Sequence, residues 1–416
     1  MPLSLASPIT LPNGITLANR LVKAALSEGI ADAANDVTPR LLTLYRRWSE
    51  SGAGMLLTGN VAVDRYHLER PGNVVLDAKS DLKAMRAYAE AGTAAGNHLW
   101  MQITHTGRQV DEKINPAPLA PSAVDIAVAR EAGHTFAHPR AMSEAEILHA
   151  IEQFATTARL ARETGFTGVQ IHAAHGYLPS QFLSPISNRR TDAWGGSLAN
   201  RSRFLLETIA AVRKAVGADF PISIKLNSSD FQKGGFTNAE CIELVGWLNE
   251  TSLDMLELSG GSLEQPKLVG VSMKDEGEDK RAASTIAREA YFIDYAARIK
   301  AATKMPVMVT GGFRHVEVMQ DALTRGELDI VGLGRPMLAD PDLPKKILDG
   351  TAKIAPIPEA HINLFHLMGW YNTQFERMAD GLDPDLDLKG EDAVAAFDER
   401  ERLNFANLAR YRAKAA

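Results

Sequence analysis

Gly168-Val-Gln-Ile-His-Ala-Ala-His-Gly-Tyr177 sets an apolar run directly before two histidines and a tyrosine. Val169 and Ile171 alternate as in a buried strand, so His172 stands where strand gives way to loop. From there His172 and His175 can donate hydrogen bonds to one oxygen, and the phenol of Tyr177 can supply a proton. A single histidine is more often structural than catalytic, and His-x-x-His without a third ligand is a poor zinc pattern. What surrounds the cluster has to decide between these readings.

Outward from it, strand-like apolar runs alternate with helical ones. The strands are Leu21–Ser27, Gly54–Asn60, His98–His105, Gly168–His172, Ile222–Asn227, Met255–Gly260, Pro306–Gly311 and Ile330–Gly334. Amphipathic helices fall between them at Pro39–Ser51, Leu82–Gly92, Glu144–Thr164, Asn200–Val216, Arg288–Thr303, His315–Leu323 and Pro341–Leu348. Ser143-Glu-Ala-Glu146 and Thr237-Asn-Ala-Glu240 read as capping boxes, the second opening a further helix. Strand then helix, eight times over, predicts a (β/α)8 TIM barrel. A doubly wound sheet is the rival fold, but no strand leads into Gly-x-Gly-x-x-Gly.

Asn13-Gly14 between two short β-prone runs predicts an N-terminal hairpin that covers or plugs the barrel. Segments Gly107–Arg140, Pro179–Gly196 and Gly261–Ala287 are inserted loops after strands three, four and six, on the face where barrels keep their active sites. The expected organisation is a barrel with its hairpin over residues 1–355 and a C-terminal helical extension over 356–416, with helical runs at Ile362–Met378 and Glu391–Arg412.

The 416 residues carry a net charge of −6, so nothing draws the chain to nucleic acid. Hydrophobic residues make up 45% and charged ones 23%, the balance of a soluble globular protein, and no long uncharged apolar segment suits a membrane. Met1-Pro2-Leu3-Ser4-Leu5-Ala6 lacks the basic start of a secretory leader, which makes the cytoplasm the expected compartment. The single cysteine, Cys241, excludes internal disulfides and an iron–sulfur cluster held by several thiolates.

In a barrel, residues just past the strand ends face a common cavity. Those ends bring Ala25 and Ser27, Asn60, Gln102 and His105, His172, His175 and Tyr177, Lys225, Ser259, Gly311 and Gly312, and Gly334 and Arg335. Glycine-rich turns after strands seven and eight expose N–H groups where barrels bind phosphate, and Arg335 adds a bidentate donor. Gln102 can both donate to and accept from a pyrimidine-like edge. Lys225 either stabilises negative charge on an electron-accepting ring, forms a Schiff base, or pairs with a barrel carboxylate.

Asn19-Arg-Leu-Val-Lys-Ala-Ala-Leu-Ser27, Gln102-Ile-Thr-His-Thr-Gly-Arg-Gln109, His172–Tyr177 and the block Ser180–Arg201 resemble the Old Yellow Enzyme family of flavin-dependent oxidoreductases. The Gly311-Gly312 and Gly334-Arg335-Pro336 turns fit the same pattern. The resemblance implies non-covalent FMN with its phosphate at Gly311, Gly312, Gly334 and Arg335, and its ring at Ala25, Ser27, Asn60, Gln102 and Lys225. It further implies NADPH or NADH as reductant and an activated alkene as acceptor. His172 and His175 would hold the acceptor's oxygen, and Tyr177 would protonate its α-carbon. Ala25 departs from the family's usual proline, Ser27 from threonine or cysteine, and Lys225 from arginine; Glu28-Gly29 lack the aromatic some relatives carry. The alternative is a phosphate-binding lyase or aldolase working through Lys225. Metal ligation at the histidines is the weakest reading.

Overall fold

The structure, a computed structural model, describes residues 3–126, 135–262, 264 and 293–415. Eight parallel strands close into a barrel in chain order: β1 (Leu21–Lys23), β2 (Met55–Ala62), β3 (His98–Thr104), β4 (Gly168–Ala173), β5 (Ile222–Asn227), β6 (Met255–Ser259), β7 (Val307–Thr310) and β8 (Ile330–Leu333). Helices follow them outside: α1 (Pro39–Ser49), α2 (Leu82–Gly92), α3 (Glu144–Glu163), α4 (Leu198–Val216), α5 (Asn238–Leu248), α6 (Ile293–Ala302), α7 (Val316–Thr324) and α8 (Leu343–Leu348). The (β/α)8 reading holds. Both capping boxes form, with Ser143 and Thr237 each accepting from the backbone of the glutamate three residues on while that glutamate accepts in return.

Side-chain parity along the strands explains the packing. Val169, Ile171, Ile222, Ile224, Leu226, Leu256 and Leu258 point outward into the shell shared with the helices. Their neighbours Val22, Met55, Leu57, Trp100, Met255, Met308 and Ile330 fill the lower barrel interior. The predicted hairpin, Ile9–Thr10 paired antiparallel with Thr16–Leu17, adds Ile9, Leu11 and Leu17 to this inner cluster and so plugs the barrel floor. Gly168 is required here by space, because a Cβ on it would stand 2.6 Å from the Trp100 indole.

One layer higher the inward positions turn polar: Gln102, Gln170, Lys225 and Glu257 are all buried, with Thr310 beside them. This polar layer lies toward the strands' C-terminal ends, above the apolar interior. A bulge between Leu57 and Asn60 lengthens β2 beyond the expected Asn60, with the Thr58 hydroxyl accepting from the Gln102 N–H at 2.9 Å.

Only residues 261, 262 and 264 of the Gly261–Ala287 insertion lie among the described residues, as does the Ile293–Ala302 part of the Arg288–Thr303 helix. The C-terminal segment is helical as expected, with α9 (Leu367–Ala379) preceded by short 3-10 turns and followed by α10 (Gly390–Ala415). Trp370 and Phe375 of α9 join the main core, and Arg40 of α1 clamps Asp380 at 2.6 Å. Leu408 and Phe405 of α10 pack on Ala62, Leu68, Val75, Val110 and Ile114, which belong to the end of β2 and the loops after β2 and β3. No described helix is long and apolar enough to cross a membrane.

Candidate active site

The histidines and the tyrosine converge as their spacing predicts. His172 points inward from the end of β4, and its ring lies 4.9 Å from that of His175 and 4.7 Å from that of Tyr177, both edge to face. What brings His175 back beside its neighbour is a left-handed backbone, φ 61° at His175 and 77° at Gly176. For a non-glycine residue that conformation costs about 1–2 kcal/mol. Three contacts hold it: the His175 N–H donates to Asn227 Oδ1 at 3.2 Å, Gln109 Nε2 donates to its carbonyl at 2.8 Å, and its Nε2 meets Ser259 Oγ at 2.7 Å.

Protonation follows from the surroundings. Burial first, then His175 and Lys225, push the His172 pKa well below its ordinary value; burial and Lys225 do the same to His175. Both rings are therefore neutral at pH 7. The Ala174 N–H donates to His172 Nδ1 at 3.3 Å, which leaves Nε2 carrying the proton. Burial, reinforced by Glu69, raises the Tyr177 pKa well above 10, so the phenol keeps its proton. Two neutral imidazoles and a protonated phenol can offer hydrogen bonds to an oxygen and one transferable proton without any of them starting charged.

Around this trio stand the other predicted residues. Lys225, in register with His172 on the next strand, forms an ion pair with Glu257 at 3.0 Å, the structural option among its three readings. Gln102 Nε2 donates to Gln170 Oε1 at 2.7 Å. The Ser27 hydroxyl donates to Asn60 Oδ1 at 2.8 Å, and Asn60 Nδ2 donates to Glu69 at 3.0 Å, so Asn60 braces the segment after β1. Ala25, at the half-buried start of that segment, packs on the inner cluster. Gly311 and Gly312 both take left-handed backbone, φ 120° and 85°, at the end of β7, and Gly334 and Arg335 follow β8 directly.

His105, expected on the shared cavity, turns instead against His67, with ring centres 4.2 Å apart and Asp64 beside them. Asp64, His67 and His105 are near enough to share a metal ion. The hydrogen bonds argue otherwise. The Leu119 N–H donates to His67 Nε2 at 2.9 Å and the Gly107 N–H to His105 Nδ1 at 3.1 Å. In neutral rings the remaining nitrogens then carry protons and have no lone pair for a metal. The half-buried Asp64 carboxylate accepts from the Tyr66 N–H at 2.6 Å and Gln153 Nε2 at 2.8 Å, with His67 Nδ1 3.3 Å away. Burial alone would raise the Asp64 pKa, but the hydrogen bonds from His67 and Gln153, with the His105 ring beside them, hold it well below the usual range.

Sequence reasoning missed Gln170, Glu257, Thr310 and Arg70. The first three were findable by parity, since they share the inward register of His172, Ser259 and Met308. Arg70 carried no local signal: its guanidinium reaches the Ser27 carbonyl at 2.6 Å and Asn372 of α9 at 2.7 Å, across 302 residues of sequence.

The sequence profile of the NADH:flavin oxidoreductase / NADH oxidase family matches residues 4–353. The chain belongs to this family. An NADH-dependent flavin oxidoreductase of Aspergillus parasiticus is 36% identical over 395 residues, covering 91% of this chain and 86% of that protein. One of a Neonectria species is 39% identical over 354 residues, covering 81% of this chain but only 46% of the longer relative. Morphinone reductase solved with tetrahydroNAD superposes with a TM-score of 0.70 at 25% identity, over 86% of this chain and 93% of that one. The Old Yellow Enzyme resemblance and the barrel are thereby shown, and a flavin with a nicotinamide reductant belongs to the family. Relatives diverge in what they are named for, among them an NADH oxidase of Thermoanaerobacter brockii and a disulfide reductase of Rhodococcus erythropolis.

Proposed function

We propose that this chain is an FMN-dependent NAD(P)H:alkene oxidoreductase that reduces the C=C bond of enones, enals or nitroalkenes. The donor set fits a non-covalent flavin. Gly311 and Gly312 take left-handed backbone at the end of β7, Gly334 and Arg335 follow the adjoining β8, and the N–H groups of these two turns with the Arg335 guanidinium would hold the phosphate. Gln102 and Lys225 would face the pyrimidine edge, and Ala25 and Ser27, braced by Asn60, the opposite edge. FMN held by these residues would supply the hydride chemistry between a nicotinamide and the acceptor.

The chain's own residues do the rest. His172 and His175 donate neutral N–H bonds to the acceptor's carbonyl or nitro oxygen and draw electron density from its β-carbon. Tyr177, beside His172, delivers its phenolic proton to the α-carbon. The observation that carries the reading is this trio: a phenol kept protonated by burial, 4.7 Å from an imidazole kept neutral by burial. A Schiff base at Lys225 is a weaker reading, since an ammonium paired to Glu257 at 3.0 Å is the wrong form for a nucleophile.

Incubation with NADH and 2-cyclohexenone, with products separated by gas chromatography, tests the acceptor class. Cyclohexanone formed in step with NADH loss is expected. NADH consumed only in the presence of oxygen, with the enone untouched, would contradict it.

A further inference from the structure

Glu257 has no role in the chemistry described so far, yet it has the most completely satisfied side chain in the polar layer. It is fully buried in the middle of β6. Its Oε1 receives Lys225 Nζ at 3.0 Å and the Thr310 hydroxyl at 2.7 Å; its Oε2 receives Gln170 Nε2 at 2.8 Å. Strand register builds this, with Glu257 paired to Lys225 across β5 and β6, and Gln170 to Gln102 across β3 and β4. On β8 a glycine is needed to let Thr310 in, because a Cβ on Gly332 would stand 2.0 Å from the Thr310 hydroxyl.

Two consequences follow from a carboxylate at this point. An ionised carboxylate only accepts, so Gln170 must present its NH2 to Glu257 and its oxygen to Gln102. Gln102 then donates Nε2 inward at 2.7 Å, and its own Oε1 is left as an acceptor, the complement of a ring N–H. One charge thus sets the polarity of two amides. The other consequence is electrostatic: the carboxylate 3.0 Å from Lys225 cancels most of the field that the ammonium would otherwise impose on an adjacent ring. Stability alone is a poor reason for such a pair, since a buried ion pair gains little over apolar packing.

We infer that Glu257 is a positioning residue for the flavin: through Lys225 it lowers the reduction potential, and through Gln170 it fixes the face that Gln102 offers to the pyrimidine edge. This rests on the flavin reading above. The test is the midpoint potential of the FMN-loaded protein, measured by anaerobic dye equilibration for wild type, Glu257→Gln and Glu257→Asp. Glu257→Gln should raise the potential, because the Lys225 charge is left uncompensated, while Glu257→Asp, which keeps the charge, should stay near wild type. A Glu257→Gln protein that holds FMN at the wild-type potential overturns the inference, even if its melting temperature falls. If Glu257→Gln does not fold, Gln170→Met breaks the amide line and leaves the ion pair. It should weaken FMN binding about tenfold, equivalent to about 1.4 kcal/mol, and unchanged affinity would overturn the inference. Wild-type protein that takes up no FMN would instead sink the flavin reading itself.

Discussion

Replacing Tyr177 by phenylalanine removes one oxygen and nothing else. The ring stays against His172 at 4.7 Å, and the lost hydroxyl has no hydrogen-bond partner among the described residues, so folding stability should change by less than about 1 kcal/mol. Reduction of the flavin by NADH needs no proton from the phenol and should keep its rate. Reoxidation by an enone should slow by about 10²- to 10⁴-fold, the contribution of a positioned general acid and roughly 3–5.5 kcal/mol of barrel-bound catalysis. Anaerobic stopped-flow at the flavin absorbance separates the two half-reactions. Because burial raises the Tyr177 pKa well above 10, the wild-type enone step should also run flat with pH up to about pH 9. Equal slowing of both half-reactions in the variant, or a wild-type enone step that falls away near pH 8, would refute the reasoning.

Replacing both His172 and His175 by alanine should leave FMN bound and weaken enone binding by about 10- to 100-fold, the loss of two hydrogen bonds to one oxygen, read by spectral titration. Folding should weaken in acid. His105, His172 and His175 all have pKa values pushed well below 6.5 by burial, so the unfolded chain takes up their protons first, and stability present above about pH 6.5 is lost as pH falls toward the folded values. Each contributes up to about 1.4 kcal/mol per pH unit in that window, and urea unfolding midpoints between pH 7 and 5 measure it. Asn372→Ala strips a partner from the buried Arg70 guanidinium and should cost about 1–3 kcal/mol in the same assay, though the substitution lies outside the barrel.

The fold was legible because inward and outward residues alternate cleanly along six of the strands, β1 and the bulged β2 excepted, and because Ser143 and Thr237 mark helix starts by local chemistry alone. β1 is shorter than its apolar run: beyond Lys23 the chain leaves the ladder, and Ser27 turns its carbonyl to Arg70, a partner supplied by the loop after β2. The trio His172, His175 and Tyr177 was legible as a group since it lies within one turn of chain. Its geometry was not, because the left-handed His175 is held by Asn227, Gln109 and Ser259 from three other strands or loops. Glu257 was hidden by its setting, Met-Leu-Glu-Leu, which reads as a plain buried strand until the barrel shows which face is inside. His105 misled for the opposite reason: it follows β3 as a cavity residue should, but its ring packs at a tilt against His67 instead.

One spectral titration of the purified protein, loaded with FMN and kept free of oxygen, tests the alkene-reductase assignment most directly. The expected result is a yellow protein whose oxidised-flavin absorbance is bleached by one equivalent of NADH or NADPH and restored by one equivalent of 2-cyclohexenone. A protein that binds no FMN, or one whose reduced flavin is left bleached by the enone and recovers only when air is admitted, would contradict it.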